Sequence, residues 1–179
     1  SLKTIFPKFE FYGIDYSKEM IKHAKKNNNN INFIEADITK TNIYNELPKF
    51  DVIFTNRCLI NLKSKNKINL AISKSEYLLK KGGYFIFLEN FISGHKNQNE
   101  LRKVLKLRYR KIAKFNKFLD ERSFLNLLKK YFKILENVNY SSLNDLLLYV
   151  LTPNNSSKIN YNSKLQKKII FLLINLLEK

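Results

Sequence analysis

The sequence predicts an α/β fold in which short strands alternate with helices around a mostly parallel sheet. Apolar residues form several runs of strand length. The stretches between these runs place apolar residues at the three- and four-residue spacing of an amphipathic helix. Strands that alternate with helical connections are typical of right-handed βαβ units, and therefore of a parallel sheet.

The composition indicates one globular domain. The 179 residues are 44% hydrophobic and 13% aromatic, which excludes wholesale disorder. The single Cys58 excludes an intramolecular disulfide and a multi-cysteine metal site, and the two histidines lie in unrelated contexts. The start, SLKTIFPKFEF, lacks the pattern of a secretory signal. We therefore expect a cytoplasmic protein without a metal centre.

The net charge of +18 has two interpretations. It could mark a surface for nucleic acid or for an anionic membrane. However, the chain has 28 lysines, only 5 arginines and 24 asparagines, so much of the charge could be ordinary solvated surface. Arginine is the residue that leads in specific phosphate and base recognition.

The first elements are a short helical turn, a strand, an acid and a helix. Leu2 to Phe6 has helical spacing before Pro7. Residues 9–14 (FEFYGI) alternate as a strand, and Asp15 follows it. Ser17 is an N-cap candidate for a helix that runs to Asn28. An acid at the carboxyl end of such a strand can accept the hydroxyls of a nucleoside ribose, although from this stretch alone an ordinary loop aspartate is the favoured interpretation.

The next two strands also end at polar residues. Residues 31–34 (INFI) predict a strand that is followed by Asp37, and one helical turn is expected before Pro48. Residues 50–54 (FDVIF) predict a strand buried on both faces. Asn56 and Arg57 follow it.

A helix over 64–81 ends at Gly82 and Gly83, and residues 84–88 (YFIFL) predict another buried strand with Glu89 at its exit. Beyond it we expect His95 in a loop, a helix near residues 101–105 and a helix from Asp120 to Tyr131. Residues 132–138 and 146–151 predict an antiparallel pair at the edge of the sheet, followed by a linker over 153–157 and an apolar helix over 164–178.

Four segments together resemble the class I S-adenosylmethionine-dependent methyltransferases. GIDYSKEMIKHAKK looks like the second-strand motif of that family and INFIEADI like the third. FDVIFTNRCLINL is similar to the fourth, and LLKKGGYFIFLEN to the glycine-bearing turn into the fifth strand. The resemblance covers residues 1 to about 92 and implies a three-layer, Rossmann-like methyltransferase fold, incomplete at its N-terminus.

The resemblance implies S-adenosylmethionine as the cofactor and assigns roles to single residues. Asp15 would bind the ribose hydroxyls, and Asp37 the adenine amino group. The remaining cofactor contacts it implies are Tyr16 and Met20 beside the adenine ring, Ile38 against its face, and Asn56 near the methionine moiety.

The acceptor side is less defined, and no catalytic residue is identified. Arg57 would lie on the substrate side. Glu89 could contact the substrate or be a solvated loop acid, and the latter is the favoured interpretation. His95 could belong to a substrate lid. Cys58 is better explained as a small buried residue than as a nucleophile.

The sequence departs from the family pattern at its front, where the first strand and its glycine-rich loop are missing. We therefore expect a truncated methyltransferase domain over 1–152, with a basic insert at 93–118 and a linker and apolar helix at 153–179. Without that loop, this chain should bind the cofactor weakly or not at all. The alternative to an enzyme is a non-catalytic remnant or a partner-binding protein with the same fold.

The expected acceptor is a small anionic molecule, such as a sugar derivative. The basic insert, with nine Lys or Arg against one Glu between residues 96 and 117, also leaves an RNA methyltransferase open. The helix expected over 164–178 is too short to span a bilayer but could lie on a membrane surface. The oligomeric state is not predicted.

Overall fold

The computed structural model describes residues 2–28, 30–40 and 42–138. This part of the chain contains four strands and five α-helices. The strands are β1 (Tyr12–Asp15), β2 (Asn32–Glu35), β3 (Phe50–Asn56) and β4 (Leu79–Leu88). The helices are α1 (Leu2–Ile5), α2 (Lys18–Asn27), α3 (Lys65–Leu78), α4 (Ile92–Val104) and α5 (Glu121–Leu128), with 3₁₀ turns at Asn42–Asn45 and Leu59–Asn61.

The described strands form two two-stranded sheets, β1 with β2 and β3 with β4. β1 and β2 are parallel, with Gly13 opposite Phe33. Contacts between β3 and β4 also advance in the same direction. Asp51 binds Lys80 near the start of β4, and the Arg57 N–H donates to the Leu88 carbonyl at its end. The predicted parallel α/β architecture is therefore confirmed.

The chain divides into two compact units. The first contains Ser1–Phe54 and Ser64–Phe87, and the second contains Thr55–Lys63 and the chain from Leu88 onward. In the first unit, Tyr44 and Leu78 form a buried cluster against which Ile14, Ile34, Ala36, Leu47, Phe50 and Ile53 pack. The Tyr12 ring also meets the Phe50 ring edge-on, with centroids 5.3 Å apart. Side chains thus join β1 to β3, although no hydrogen-bonded ladder is found between these two described strands.

The second unit has its own core. The 3₁₀ turn Leu59–Asn61 buries Leu59 and Ile60 almost completely. Among the described residues of this unit, the other buried side chains lie on α4, on α5 and in the segment between them, and they are His95, Asn99, Phe118, Leu119, Phe124 and Leu128.

The expectation that β3 and β4 are buried on both faces is wrong. Val52 and Phe54 on β3, and Tyr84 and Ile86 on β4, are exposed large apolar residues. No element within the described ranges covers them. An apolar strand pattern reports a preference for burial, and it does not guarantee that a second layer is present.

Three predicted boundaries also differ. α3 ends at Leu78, and β4 begins at once with Leu79, so Lys80 and Lys81 belong to a strand. β4 pairs with β3 in one sheet, and Lys80 forms an ion pair of 2.9 Å with Asp51 on β3. α4 begins at Ile92, in a segment expected to be a loop, and residues 132–138 form no strand.

The predicted strand over 146–151, the linker over 153–157 and the helix over 164–178 lie outside the described residues. Within the described ranges, no helix is both long enough and apolar enough to cross a membrane.

Candidate functional site

The exit of β1 holds Asp15 in a fixed turn. Its Oδ1 accepts a hydrogen bond of 2.8 Å from the Ser17 backbone N–H. Ser17 in turn caps α2, because its Oγ accepts from the Met20 N–H at 3.3 Å. Aspartate and serine both favour such local turns, so this strand, acid and helix are set by neighbouring residues. The predicted N-cap is confirmed.

The exit of β2 repeats this arrangement around Asp37. Its Oδ1 accepts from the Thr39 N–H at 2.8 Å and from the Thr39 hydroxyl at 2.7 Å. These bonds, the one from the hydroxyl first, hold the pKa of Asp37 below its usual value. The carboxylate is therefore ionised at neutral pH. Beside it, the Ile38 carbonyl accepts a hydrogen bond from the Tyr44 hydroxyl.

The two aspartates lie at the same edge of one sheet. β1 and β2 are parallel, Asp15 is in register with Glu35, and the Ala36 N–H donates to the Asp15 carbonyl at 2.9 Å. Each acid uses Oδ1 for its own turn, and no donor within the described ranges is found at either Oδ2. Two acceptor oxygens at this edge are therefore left for an outside donor.

Apolar side chains accompany these oxygens. Tyr16 is 75% exposed and Met20 is 57% exposed, although both are large apolar residues. Exposed aromatic and thioether groups offer a flat, adaptable surface to a planar ring. Ile38 is half-buried. The edge thus combines fixed acceptors with apolar surface, as small-molecule sites do.

Asn56 and Arg57 lie in the second unit, at the end of β3. Both are exposed, and Arg57 has a left-handed backbone with φ of 53°. The Arg57 N–H donates to the Leu88 carbonyl at 2.8 Å, and the Asn61 side-chain amide donates to the Arg57 carbonyl at 2.8 Å. Non-glycine residues rarely adopt this conformation, so the turn is held in place by its surroundings.

Glu89 is bound to the backbone of the same turn, so the favoured interpretation as a solvated loop acid is wrong. Its Oε1 accepts from the Cys58 and Leu59 N–H groups at 3.1 Å each, and its Oε2 accepts from the Ile60 N–H at 3.3 Å. Burial raises the pKa of Glu89 above its usual value, and the three N–H donors oppose that shift. Sequence inspection missed this role because some thirty residues separate the partners.

His95 is a core residue on α4, so the loop expected for it is wrong. The side chain is 4% exposed and packs edge-on against Tyr109 and Phe118. Its Nε2 lies 3.0 Å from the Asn99 amide nitrogen, while its Nδ1 has no hydrogen-bond partner in the described part of the chain. Nothing in this packing supports a substrate contact.

Asn99 connects α4 to the part of the basic insert that follows this helix. Its side chain accepts from the Arg110 N–H at 2.8 Å and donates to the Arg110 carbonyl at 3.1 Å. The Arg110 guanidinium donates to Gln98 at 2.7 Å, and the Arg102 Nε donates to the Arg108 carbonyl at 2.7 Å. Arginine side chains are therefore part of the scaffold of this segment.

The structure brings the predicted residues together in two groups. Asp15, Tyr16, Met20, Asp37 and Ile38 lie at or near the carboxyl ends of β1 and β2. The other group surrounds the turn after β3, with Asn56, Arg57 and Glu89. A shallow depression lined by Glu10, Tyr12 and Asn32 lies at the opposite edge of the first sheet. No cluster of three or more metal-ligating side chains is found among residues 2–28, 30–40 and 42–138.

Comparisons with known proteins agree with this architecture. A family model described as a methyltransferase domain matches residues 2–117. An S-adenosylmethionine-dependent methyltransferase from Clostridium acetobutylicum ATCC 824 has a similar structure, with a TM-score of 0.57 and 18% identity over 79% of this chain and 72% of that one. The PH0226 protein from Pyrococcus horikoshii OT3 is similar with a TM-score of 0.55 and 18% identity over 77% and 72% of the two chains.

A comparison with curated protein sequences gave no match. The family model nevertheless covers well over half of the 179 residues. The chain therefore belongs to the methyltransferase-domain family and has the α/β fold of the class I S-adenosylmethionine-dependent methyltransferases.

Proposed function

We propose that this domain binds S-adenosylmethionine through the β1–β2 edge and transfers its methyl group to a small anionic acceptor. The observation that carries the proposal is the pair of aspartates, Asp15 and Asp37. Each has one carboxylate oxygen committed to its own turn and one left for a ligand.

The donors of an adenosine moiety fit this set of acceptors. The ribose offers two hydroxyl donors, and the adenine ring offers an amino donor. Asp15 would accept from the ribose and Asp37 from the amino group. Tyr16, Met20 and Ile38 would supply apolar contact for the ring. Because each turn already fixes its carboxylate, little side-chain entropy would be lost on binding.

Methyl transfer from a sulfonium requires few catalytic groups from this chain. When bound, the cofactor supplies an electrophilic methyl group on a positively charged sulfur. The residues of the chain need only hold the acceptor in line with that group, since the positive charge is lost during transfer. The family resemblance implies Asn56 as the residue near the methionine moiety and Arg57 as the residue on the acceptor side, where its guanidinium would orient an anionic acceptor. A general base is required only if the acceptor atom carries a proton.

A titration with S-adenosylhomocysteine, followed by ¹⁵N-HSQC spectra, tests the cofactor site. We expect weak but saturable shifts in the amides of Ser17 and Thr39, which are bound to the two aspartates. Asp15→Asn keeps an oxygen for the Ser17 N–H but presents an amide donor to the ribose. Losing charge-assisted bonds of about 1.5–3 kcal/mol should weaken binding by roughly 10- to 150-fold.

Glu35→Gln is the matched control, because it neutralises the exposed residue in register with Asp15 on the neighbouring strand. It should leave the affinity unchanged. If the wild-type chain shows no shifts at millimolar ligand, the cofactor proposal fails. The interpretation as a non-catalytic remnant or partner-binding protein would then be favoured.

RNA is a second candidate acceptor, favoured by one observation. Tyr109 and Phe115 are exposed aromatic residues within the basic insert, where they could stack on unpaired bases. Against it, the guanidinium of Arg110 and the Nε of Arg102 donate to groups of the same segment. Binding of single-stranded RNA that falls steeply with salt concentration would favour RNA over the small molecule.

A further inference from the structure

We propose that Glu89 is a positioning residue that fixes the Asn56–Arg57 turn and so aims the Arg57 guanidinium at the acceptor. This inference rests on the proposed function, because Arg57 contacts the acceptor only in that proposal. Glu89 itself acts through the backbone, and it is not assigned a contact with the substrate.

Glu89 makes three hydrogen bonds to the backbone. Its two carboxylate oxygens accept from three consecutive backbone N–H groups, those of Cys58, Leu59 and Ile60. These residues begin the 3₁₀ turn Leu59–Asn61, whose first N–H groups have no acceptor within the turn. Without the carboxylate, three N–H donors in a largely buried region would be unsatisfied.

The bonds from Glu89 also fix the backbone of the neighbouring residue, Arg57. Arg57 directly precedes Cys58 and has φ of 53°, a conformation that costs energy for a side chain of its size. On its other side, the Arg57 N–H binds the Leu88 carbonyl, which directly precedes Glu89. The end of β4 therefore holds the turn both through its backbone and through the Glu89 side chain.

One side of the turn is buried in the core of the second unit, and the other side is exposed to solvent. Leu59 and Ile60 are 1% exposed, and the Ile60 carbonyl accepts from the Lys117 N–H at 2.6 Å. Asn56 and Arg57 are exposed. A rigid base that presents two exposed polar side chains is the arrangement expected where a ligand must be oriented.

Two substitutions separate positioning from simple stability. Glu89→Gln retains one oxygen, which can still accept from Cys58 and Leu59, and loses the bond to Ile60. Glu89→Ala loses all three bonds. Glu100→Ala, on the exposed surface of α4 in the same unit, is the matched control.

The readouts are NMR measurements on the folded 179-residue chain. The HN–Hα coupling of Arg57 reports its φ, and the shift of its side-chain Nε–H reports binding of the probe, inorganic phosphate. In Glu89→Ala we expect an altered Arg57 coupling and at least tenfold weaker phosphate binding. In Glu89→Gln the Ile60 amide signal should move upfield, with a smaller loss of binding. Glu100→Ala should match the wild type.

The outcomes distinguish the inference from the proposed function. An unchanged Arg57 coupling and phosphate affinity in both Glu89 variants would overturn the positioning role, even if their thermal stability falls. If the wild type does not bind phosphate at Arg57, the anionic acceptor is wrong. The Arg57 coupling would then still decide whether Glu89 fixes the turn. If Glu89→Ala does not fold, the Arg57 coupling and the phosphate affinity of Glu89→Gln provide the test.

Discussion

Substitution of Gly13 by alanine tests how closely the two strands of the first sheet approach each other. Gly13 lies opposite Phe33 in the β1–β2 register. A Cβ atom at position 13 would lie 2.6 Å from Cδ1 and 2.7 Å from Cε1 of the Phe33 ring. Because carbon atoms pack comfortably at about 3.5–4.0 Å, the ring would have to move by roughly 1 Å.

The magnitude follows from two opposing effects. Overpacking of this kind costs about 1–3 kcal/mol. Alanine also lowers the conformational entropy of the unfolded chain relative to glycine, which stabilises the folded state by about 0.4–1 kcal/mol. We therefore expect Gly13→Ala to lower the free energy of unfolding by about 1–2 kcal/mol, which corresponds to a Tm lower by roughly 2–8 °C for a chain of this size.

Urea unfolding followed by circular dichroism measures this change. The control is the same substitution in a Phe33→Leu background, where the ring edge is gone and Gly13→Ala should cost less by about 1 kcal/mol in a double-mutant cycle. If Gly13→Ala causes no loss of stability in either background, the close approach between β1 and the Phe33 ring is not present in solution, and the reasoning is refuted.

Two further predictions concern the cores of the two units. Burial, together with the charge of Arg110, holds the pKa of His95 below its ordinary value of 6.5, so the unfolded chain binds a proton at a higher pH than the folded chain. The free energy of unfolding should therefore decline as the pH falls below that value and level off below the folded-state pKa. His95→Gln should flatten this decline in pH-dependent urea unfolding; a slope equal to that of the wild type would count against the buried imidazole. In the first unit, Ile72 is 0% exposed, so Ile72→Ala should cost about 2–5 kcal/mol in thermal unfolding, against less than about 0.5 kcal/mol for Val104→Ala at a position that is 76% exposed. A cost under about 1 kcal/mol for Ile72→Ala would contradict the observed packing.

The features that sequence predicts well here are those set by neighbouring residues. Ser17 and Asp120 are both N-caps, as their positions indicate, and each bonds an N–H three residues later. Asp15 lies at the end of β1, and Asp37 lies two residues beyond the end of β2. Both positions follow from local sequence, because each aspartate side chain closes a turn with a nearby residue. The hydrogen bond that closes each turn joins residues two positions apart, so a short stretch of sequence determines the geometry of the turn.

The features that sequence misses depend on distant partners. Lys80 belongs to a strand because β4 pairs with β3, and its partner Asp51 on β3 is 29 residues away. Glu89 reads as a loop acid until its bonds to the 58–60 backbone are seen. His95 follows Gly94, which suggests a loop, yet its packing against Phe118 places it in a helix. In each case tertiary contacts override the local preference.

The contact between Tyr12 and Phe50 has a mechanical consequence. A backbone ladder resists sliding along its length because every residue would have to exchange partners, whereas a pair of rings can slip and re-form. Within the described residues, β1 and β3 are joined only by side chains, so their facing edges keep donors and acceptors that another extended segment could meet. A segment that paired with the free edge of β1 would form a ladder alongside the strand that ends at Asp15.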